Sequence, residues 1–197
     1  MCLTEEFSGG GALVADRGWS WLAGDAFPTG PVAAAHLTPG DLTGVGSLGG
    51  SYWRVPVTLP GQEGEHLLVT RRSATGSACG PVRRARGTAL TLRLGWFGDL
   101  GASSIQLWAA LTPGEQVAGT PPLIPVAPCP PRMPPPDPDG RAAAWTLVRL
   151  TLAPSWLQLE IRPLRWSIAP LRGRACALTI VDASTRGGWL LDAIIDE

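Results

Sequence analysis

The chain has 197 residues, and its 16 basic residues, all of them Arg, balance 16 acidic residues to a formal net charge of zero. A neutral chain has no overall field to attract nucleic acid or an anionic membrane, so neither is expected as a partner. No apolar run approaches the roughly 20 residues that span a bilayer. The first 30 residues lack a basic start before an apolar core, so no signal peptide is expected. The sequence does not indicate a compartment, and both a virion-associated and a cytoplasmic protein fit it.

The 25 Gly and 20 Pro of the chain interrupt most segments that would be long enough for a helix. Strand-like segments are found instead, beginning in the first part of the chain. Short strands are expected near Leu13 and over residues 19–22. Residues 52–59 alternate apolar and polar side chains, and residues 65–71 follow after a Gly-containing turn. These two segments predict a β-hairpin.

Three further strand pairs are expected in the second half of the chain, each with a turn-like connection. Their ranges are 88–97 with 104–111, 145–152 with 156–162, and 176–181 with 189–195. An acid, Asp192, interrupts the last apolar run. About ten short strands separated by turns favour an all-β sandwich or barrel, formed by one domain over residues 1–197.

A proline-rich insertion spans residues 112–140 and holds 11 of the 20 prolines. Proline lacks the amide donor that a central strand needs, so we expect a stiff, extended loop across the outside of the sandwich. Residues 131–134, PRMP, also match the P-x-x-P pattern that docks into aromatic grooves. Docking of a partner by this loop therefore stays open.

The four cysteines match no zinc-binding spacing. Without a secretory signal, free and mostly buried thiols are expected. A disulfide between Cys2 and Cys176 is the alternative, if the first and last strands lie side by side.

Three segments resemble the jelly-roll β-sandwich of carbohydrate-binding modules and the galactose-binding-like accessory domains. EEFSGG followed by GWSW is similar to the acidic-Phe opening and early Trp of that family. LTGVGSLGGSYWRVPVTLPG resembles its Gly/Ser-rich approach to a strand, and CALTIVDASTRGGWLLDAI resembles its closing strand pair. The resemblance implies a jelly-roll-like sandwich of two antiparallel sheets. It also implies a structural Ca²⁺ site where the first and last strands meet, with Glu5 or Glu6 and Asp192 as oxygen ligands; no other cofactor is expected.

An aromatic face for ligand binding is predicted from strand parity. Trp108 and Trp156 alternate against the apolar positions of their strands, and Trp21 and Trp166 are also expected on an outer face or in loops. A sheet face exposed to solvent would then carry two stacking platforms with polar neighbours. The residues of this predicted face are Trp108, Trp156, Gln106, Gln158 and Glu160. Such a face suits a sugar, or an interface with another protein or a second subunit.

A cluster of arginines marks a candidate anion-binding loop. Its members, all within 16 residues, are Arg71, Arg72, Arg83, Arg84 and Arg86. No aromatic residue interleaves with them, which argues against stacking on single-stranded nucleic acid. A solvated loop balanced by acids elsewhere is the alternative.

Catalysis is not expected, because two His, one Tyr and no Lys leave few acids, bases or nucleophiles, and no G-x-S-x-G elbow occurs. The sequence instead favours a non-catalytic binding or structural module. The leading hypothesis is a component of a larger assembly, such as a virion or tail surface, that contacts other protein subunits or forms a homo-oligomer. The alternative is a carbohydrate-binding module that uses exposed Trp residues to hold a glycan.

Overall fold

The computed structural model describes residues 3–7, 11–28, 30–37, 59–71, 74–112, 115, 117, 132–136, 144–152 and 160–197. Within these ranges the protein is an all-β sandwich of two antiparallel sheets with six strands each. The predicted fold class is confirmed in this form. Residues 52–58 of the predicted strand 52–59 and the centre of the proline-rich insertion lie outside the described residues.

Sheet A contains β1 (Glu5–Glu6), β3 (Val32–Ala33), β4 (His66–Val69), β7 (Ala89–Asp99), β10 (Arg162–Ser167) and β12 (Arg186–Asp196). Its strand order is β10-β7-β12-β4-β3, and β1 pairs with β12 beyond the end of β4. The first and last strands therefore meet, as the sequence predicted, with Glu5 opposite Ile194 and Glu6 opposite Ala193.

Sheet B contains β2 (Ser20–Gly24), β5 (Gly76–Cys79), β6 (Arg83–Arg84), β8 (Ser104–Leu111), β9 (Ala144–Leu152) and β11 (Ala175–Asp182). Its order is β2-β5-β11-β8-β9, and β6 pairs with the start of β11. Two 3₁₀ turns, Ala34–His36 and Ala169–Leu171, lie outside the sheets.

One short helix, α1 (Leu13–Arg17), replaces the strand predicted near Leu13. Asp16 accepts a hydrogen bond from the amide of Ala12, which closes the first turn. Gly18 adopts a left-handed conformation with φ of 69° and ends the helix after five residues. The turn is too short to show the apolar periodicity by which helices are recognised.

Two of the predicted hairpins of the second half, 88–97 with 104–111 and 176–181 with 189–195, are wrong, because the two strands of each pair lie in opposite sheets. β7 belongs to sheet A, and β8, which follows it in the chain, belongs to sheet B. In the same way, β11 belongs to sheet B and β12, which follows it, belongs to sheet A. The third predicted hairpin, 145–152 with 156–162, stays a prediction, because residues 153–159 lie outside the described residues. A short Gly- and Ser-rich segment indicates that the chain reverses, but it does not indicate whether the chain stays in one sheet. Each strand has an apolar inner face, and crossing the core buries both of those faces against each other.

The core between the sheets follows the predicted alternation. In β7 the inward side chains are Leu90, Leu92, Leu94 and Trp96, and β8 contributes Ile105, Leu107, Ala109 and Leu111. Trp189 of β12 lies fully buried among them, and its indole N–H donates to the carbonyl of Val181 in sheet B at 3.1 Å. A buried indole N–H needs a hydrogen-bond acceptor. Here the acceptor belongs to the other sheet, so the hydrogen bond links the two sheets.

The outer face of sheet A carries a second, smaller apolar cluster. It consists of Ala34, Leu37, Leu59, Leu67, Val69, Phe97, Ile161 and Leu190. The segments that contain residues 34–37, 59–62 and 160–161 thus cover one part of this face. The part around Arg93 and the second half of β12 lines the cleft described below.

Two cysteines, Cys79 and Cys176, are buried free thiols, as predicted. Cys2 and Cys129 lie outside the described residues. Burial raises the pKa of both described thiols to about 11. At pH 8 the reactive thiolate is therefore about a hundredfold scarcer than it is at the ordinary pKa of 9.

We expect Cys79 and Cys176 to resist Ellman's reagent in the folded protein at pH 8. The measurement uses a Cys2→Ser/Cys129→Ser variant, so that only the two buried thiols remain. In guanidinium chloride both should react within minutes. Rapid labelling of either thiol under native conditions would contradict their burial.

Candidate functional site

The open part of sheet A is organised by a pair of opposite charges on neighbouring strands. Arg93 lies on the outer face of β7, and Asp192 lies at a β-bulge in β12. The register passes from Leu191 opposite Leu94 to Ala193 opposite Arg93, which leaves Asp192 as the extra residue. A bulge re-aims a side chain in this way, and it lets Leu191 and Ile194 both enter the core while Asp192 faces outward.

The carboxylate of Asp192 accepts three hydrogen bonds. Arg93 Nε donates to Oδ2 at 3.0 Å, the amide of Glu63 donates to Oδ2 at 3.1 Å, and the amide of Gly64 donates to Oδ1 at 2.9 Å. The side chain of Asp192 is almost completely buried. A buried carboxylate is tolerated only when it is paired and hydrogen-bonded, and all three contacts meet that requirement.

The guanidinium of Arg93 holds the same loop from the other side. Its Nη1 forms a 2.5 Å ion pair with Glu63 Oε1, and its Nη2 donates to the carbonyl of Gly61. Burial acts to lower the pKa of Arg93, but the hydrogen bonds and charges of Glu63 and Asp192 outweigh it and raise that pKa. Arg93 is therefore a fixed cation, and Arg93 with Asp192 seats residues 61–64 on sheet A.

Glycine is required at two positions of this loop. Gly61 has a φ of 80°, in the left-handed region that side chains disfavour. At Gly64 a Cβ atom would lie 2.6 Å from Asp192 Oδ1. The close approach of the Gly64 amide to the carboxylate therefore depends on the absence of a side chain.

Beside this loop lies a cleft of about 310 Å³. Its lining residues are Glu6, Glu63, Gly64, Glu65, Arg93, Asp192, Ala193 and Ile195. Four carboxylates thus face one guanidinium, and Glu6, Glu63 and Glu65 are exposed. We name this feature the acidic cleft. Its charge suits cationic groups, and its Ile195 and Ala193 side supplies a small apolar wall.

The predicted calcium ligands are only partly brought together. Glu6 and Asp192 line the acidic cleft, but Glu5 points to the other face of β1, where it is buried and forms ion pairs with Arg17 and Arg83. Arg93 already occupies the side of Asp192 that a cation would need. In the ranges that the structure describes, no group of three or more His, Cys, Asp or Glu side chains is arranged around a metal position. Within the described residues, the cleft therefore does not present the cage of oxygen ligands that a Ca²⁺ ion needs.

The predicted aromatic face on sheet B is not a solvent-exposed platform. Gln106 and Trp108 do point outward from β8, but Trp108 is only 5% exposed and Gln106 is fully buried. Residues 132–136 lie over this face, where the amide of Met133 donates to Gln106 Oε1 at 3.2 Å and Pro135 is buried. Parity within a strand predicted the direction of these side chains, but it does not show which distant segment covers them.

The other members of that face are placed elsewhere or not described. Glu160 pairs with Arg162 at 2.6 Å, and its carbonyl lies beside Gly95 in sheet A, on the opposite side of the sandwich from Gln106. Trp156 and Gln158 lie outside the described residues. Trp166 is buried rather than exposed, whereas Trp21 is 41% exposed as predicted.

The predicted arginine cluster is divided along the sandwich. Arg83 and Arg84 pair with the start of β11, whereas Arg71 follows Thr70, which contacts Asp182 at the end of β11. Seven residues of strand separate these ends by about 23 Å. Arg83 is tied to Glu5 and the carbonyl of Thr4, and Arg84 donates to the carbonyl of Gly173. Arg84 and Arg86 remain exposed, and Arg72 lies outside the described residues.

Arg93 is the residue of the candidate site that sequence reasoning missed. It is the one charged residue in the predicted strand 88–97, just as Asp192 is the one charged residue in 189–195. Two opposite charges that each interrupt an apolar strand are a signal that the strands are neighbours. Without the sheet order, however, the sequence does not show that these two strands are neighbours.

No protein-family model and no curated protein matches this chain. Among the described residues no helix has the length and apolar character that crossing a membrane would require.

Proposed function

We propose that this protein is a non-catalytic binding module of a larger assembly, and that its acidic cleft receives basic side chains of a partner subunit. The observation that carries the proposal is the seating of residues 61–64 by Arg93 and Asp192. This seating fixes the backbone beside the cleft before any partner arrives, so little conformational entropy is lost on binding.

Charge supports the same partner chemistry. The chain as a whole is neutral, yet the cleft places four carboxylates around one guanidinium that is already paired. Such a local field steers a basic segment toward the cleft and rejects an acidic one. Added salt screens the attraction between the exposed carboxylates at the rim and a basic partner. Binding should therefore weaken as the ionic strength rises.

The test uses a fluorescent octa-arginine peptide as the probe and measures anisotropy at 50 mM and 300 mM NaCl. A Glu6→Gln/Glu65→Gln variant should bind the peptide about 3- to 10-fold more weakly at low salt, since it loses two exposed charge contacts. An Asp25→Asn/Asp99→Asn variant removes the same charge at other exposed sites and should bind as the wild type does. Equal affinity of the two variants, or no binding by the wild type, would overturn the proposal.

A carbohydrate-binding function is the second candidate, and Trp21 is the observation that favours it. Its indole stacks on Phe27 at 5.8 Å with an interplanar angle of 23°, and Phe27 belongs to the core. An exposed indole held in this way presents a flat face for a sugar ring. A monomer by light scattering that gives glycan-array signals lost in Trp21→Ala would favour this candidate. An oligomer without glycan signals would favour the assembly component.

A further inference from the structure

Another buried carboxylate, Asp182, lies between the two sheets at one end of the core. It is the last residue of β11 and only 1% exposed. Two connections cross from sheet to sheet beside it, residues 100–103 between β7 and β8 and residues 183–185 between β11 and β12. The carboxylate is therefore placed where the chain twice joins the sheets.

Hydrogen bonds from both sheets converge on Asp182. The Thr70 hydroxyl, next to β4 in sheet A, donates to Oδ2. Ser103 Oγ and the amide of Ser184 each donate to Oδ1 at 3.2 Å. The same hydroxyls accept in turn, Thr70 from the amide of Trp189 at 2.8 Å and Ser103 from the amide of Ala183 at 2.8 Å. One carboxylate thus organises the crossing of both connections.

These three donors are all uncharged. On the elements packed around Asp182, Asp99 and Arg186 pair with each other at 2.6 Å on the surface, and Arg71 and Asp25 are exposed. In the described part of the chain none of these four contacts Asp182. Burial without a cation disfavours the ionised carboxylate. Here burial raises the pKa of Asp182 to about 6, although the hydrogen bonds from Thr70, Ser184 and Ser103 act to lower it.

We propose that Asp182 is a proton-operated latch between the sheets, a buried side chain whose neutral acid form costs less to bury than its carboxylate, so that this end of the sandwich is more stable in mild acid than at neutral pH. The sign follows from linkage. The folded pKa of about 6 lies above the ordinary value of 3.8, so the folded state holds the proton more firmly than the unfolded chain does. The stabilising contribution is complete below pH 3.8 and is lost as the pH rises through 6. This inference does not depend on the function of the acidic cleft.

The experiment compares urea unfolding of the wild type and Asp182→Asn from pH 4 to pH 8. The ratio of their unfolding equilibrium constants removes the titration of all other groups. The ratio of wild type to variant should rise about 50-fold across this range and level off above pH 6.5. An Asp25→Asn variant, which removes an exposed carboxylate, should change the corresponding ratio less than 2-fold. A flat ratio for Asp182→Asn would overturn the proposal.

A second measurement keeps the latch testable if Asp182→Asn does not fold. The carboxyl ¹³C shift of Asp182 is followed by NMR in the wild-type protein between pH 3 and pH 8. A midpoint near pH 6 is the expected result. A midpoint below pH 4 would show that the latch does not operate.

Discussion

Replacing Trp189 with alanine is expected to lower the free energy of unfolding by about 3–5 kcal/mol, one of the largest effects available in this chain. Trp189 is 0% exposed and lies in β12, between β7 and β4. The substitution removes a large apolar volume and the indole hydrogen bond to the Val181 carbonyl, its partner across the sandwich. Because that carbonyl is buried, the cost of the cavity and the cost of the lost hydrogen bond combine.

Urea denaturation of the purified protein measures this loss. Trp21→Ala is the matched control, because it removes the same side chain from an exposed position and should cost less than about 1 kcal/mol. Similar losses for the two variants would show that Trp189 does not occupy the centre of the core.

The second large effect is expected at Asp192. Its replacement by alanine should destabilise the protein by about 1–3 kcal/mol, since Arg93 loses its buried carboxylate partner and keeps only the exposed Glu63. The amides of Glu63 and Gly64 also lose their acceptor. Unlike Trp189→Ala, this variant should specifically release residues 61–64 from sheet A.

Urea denaturation gives the size of this effect, and hydrogen exchange gives its location. The amides of Glu63 and Gly64 should exchange faster in Asp192→Ala than in the wild type. Arg162→Ala breaks the exposed pair with Glu160 and should cost no more than about 1 kcal/mol. If the two amides keep their protection in Asp192→Ala, the carboxylate does not seat the loop.

Strand positions and inward faces were predictable because they depend on neighbours two residues apart. The alternation of Leu90, Leu92 and Leu94 indicates one buried face without any knowledge of the partner strand. The assignment of strands to sheets was not predictable in this way. Where the chain crosses from β11 to β12, Asp182 accepts a hydrogen bond from Thr70, which lies 112 residues away and which no local pattern connects with it.

The candidate site was also predictable only in part. The sequence placed Asp192 where the first and last strands meet, and β1 does pair with β12. It did not predict Arg93 as the partner, because 99 residues separate the two and only the sheet order makes them neighbours. The burial of Trp108 was missed for a related reason, since the distant Met133 lies against the same face and hydrogen-bonds to Gln106.

The most direct test of the acidic cleft is to map the octa-arginine peptide on the ¹⁵N-labelled protein by NMR. The account predicts that the largest amide shift changes occur at Glu6, Gly64, Glu65 and Ala193, and that they diminish in 300 mM NaCl. Changes that are confined to the far end of the sandwich, around Asp25 and Asp99, would contradict it.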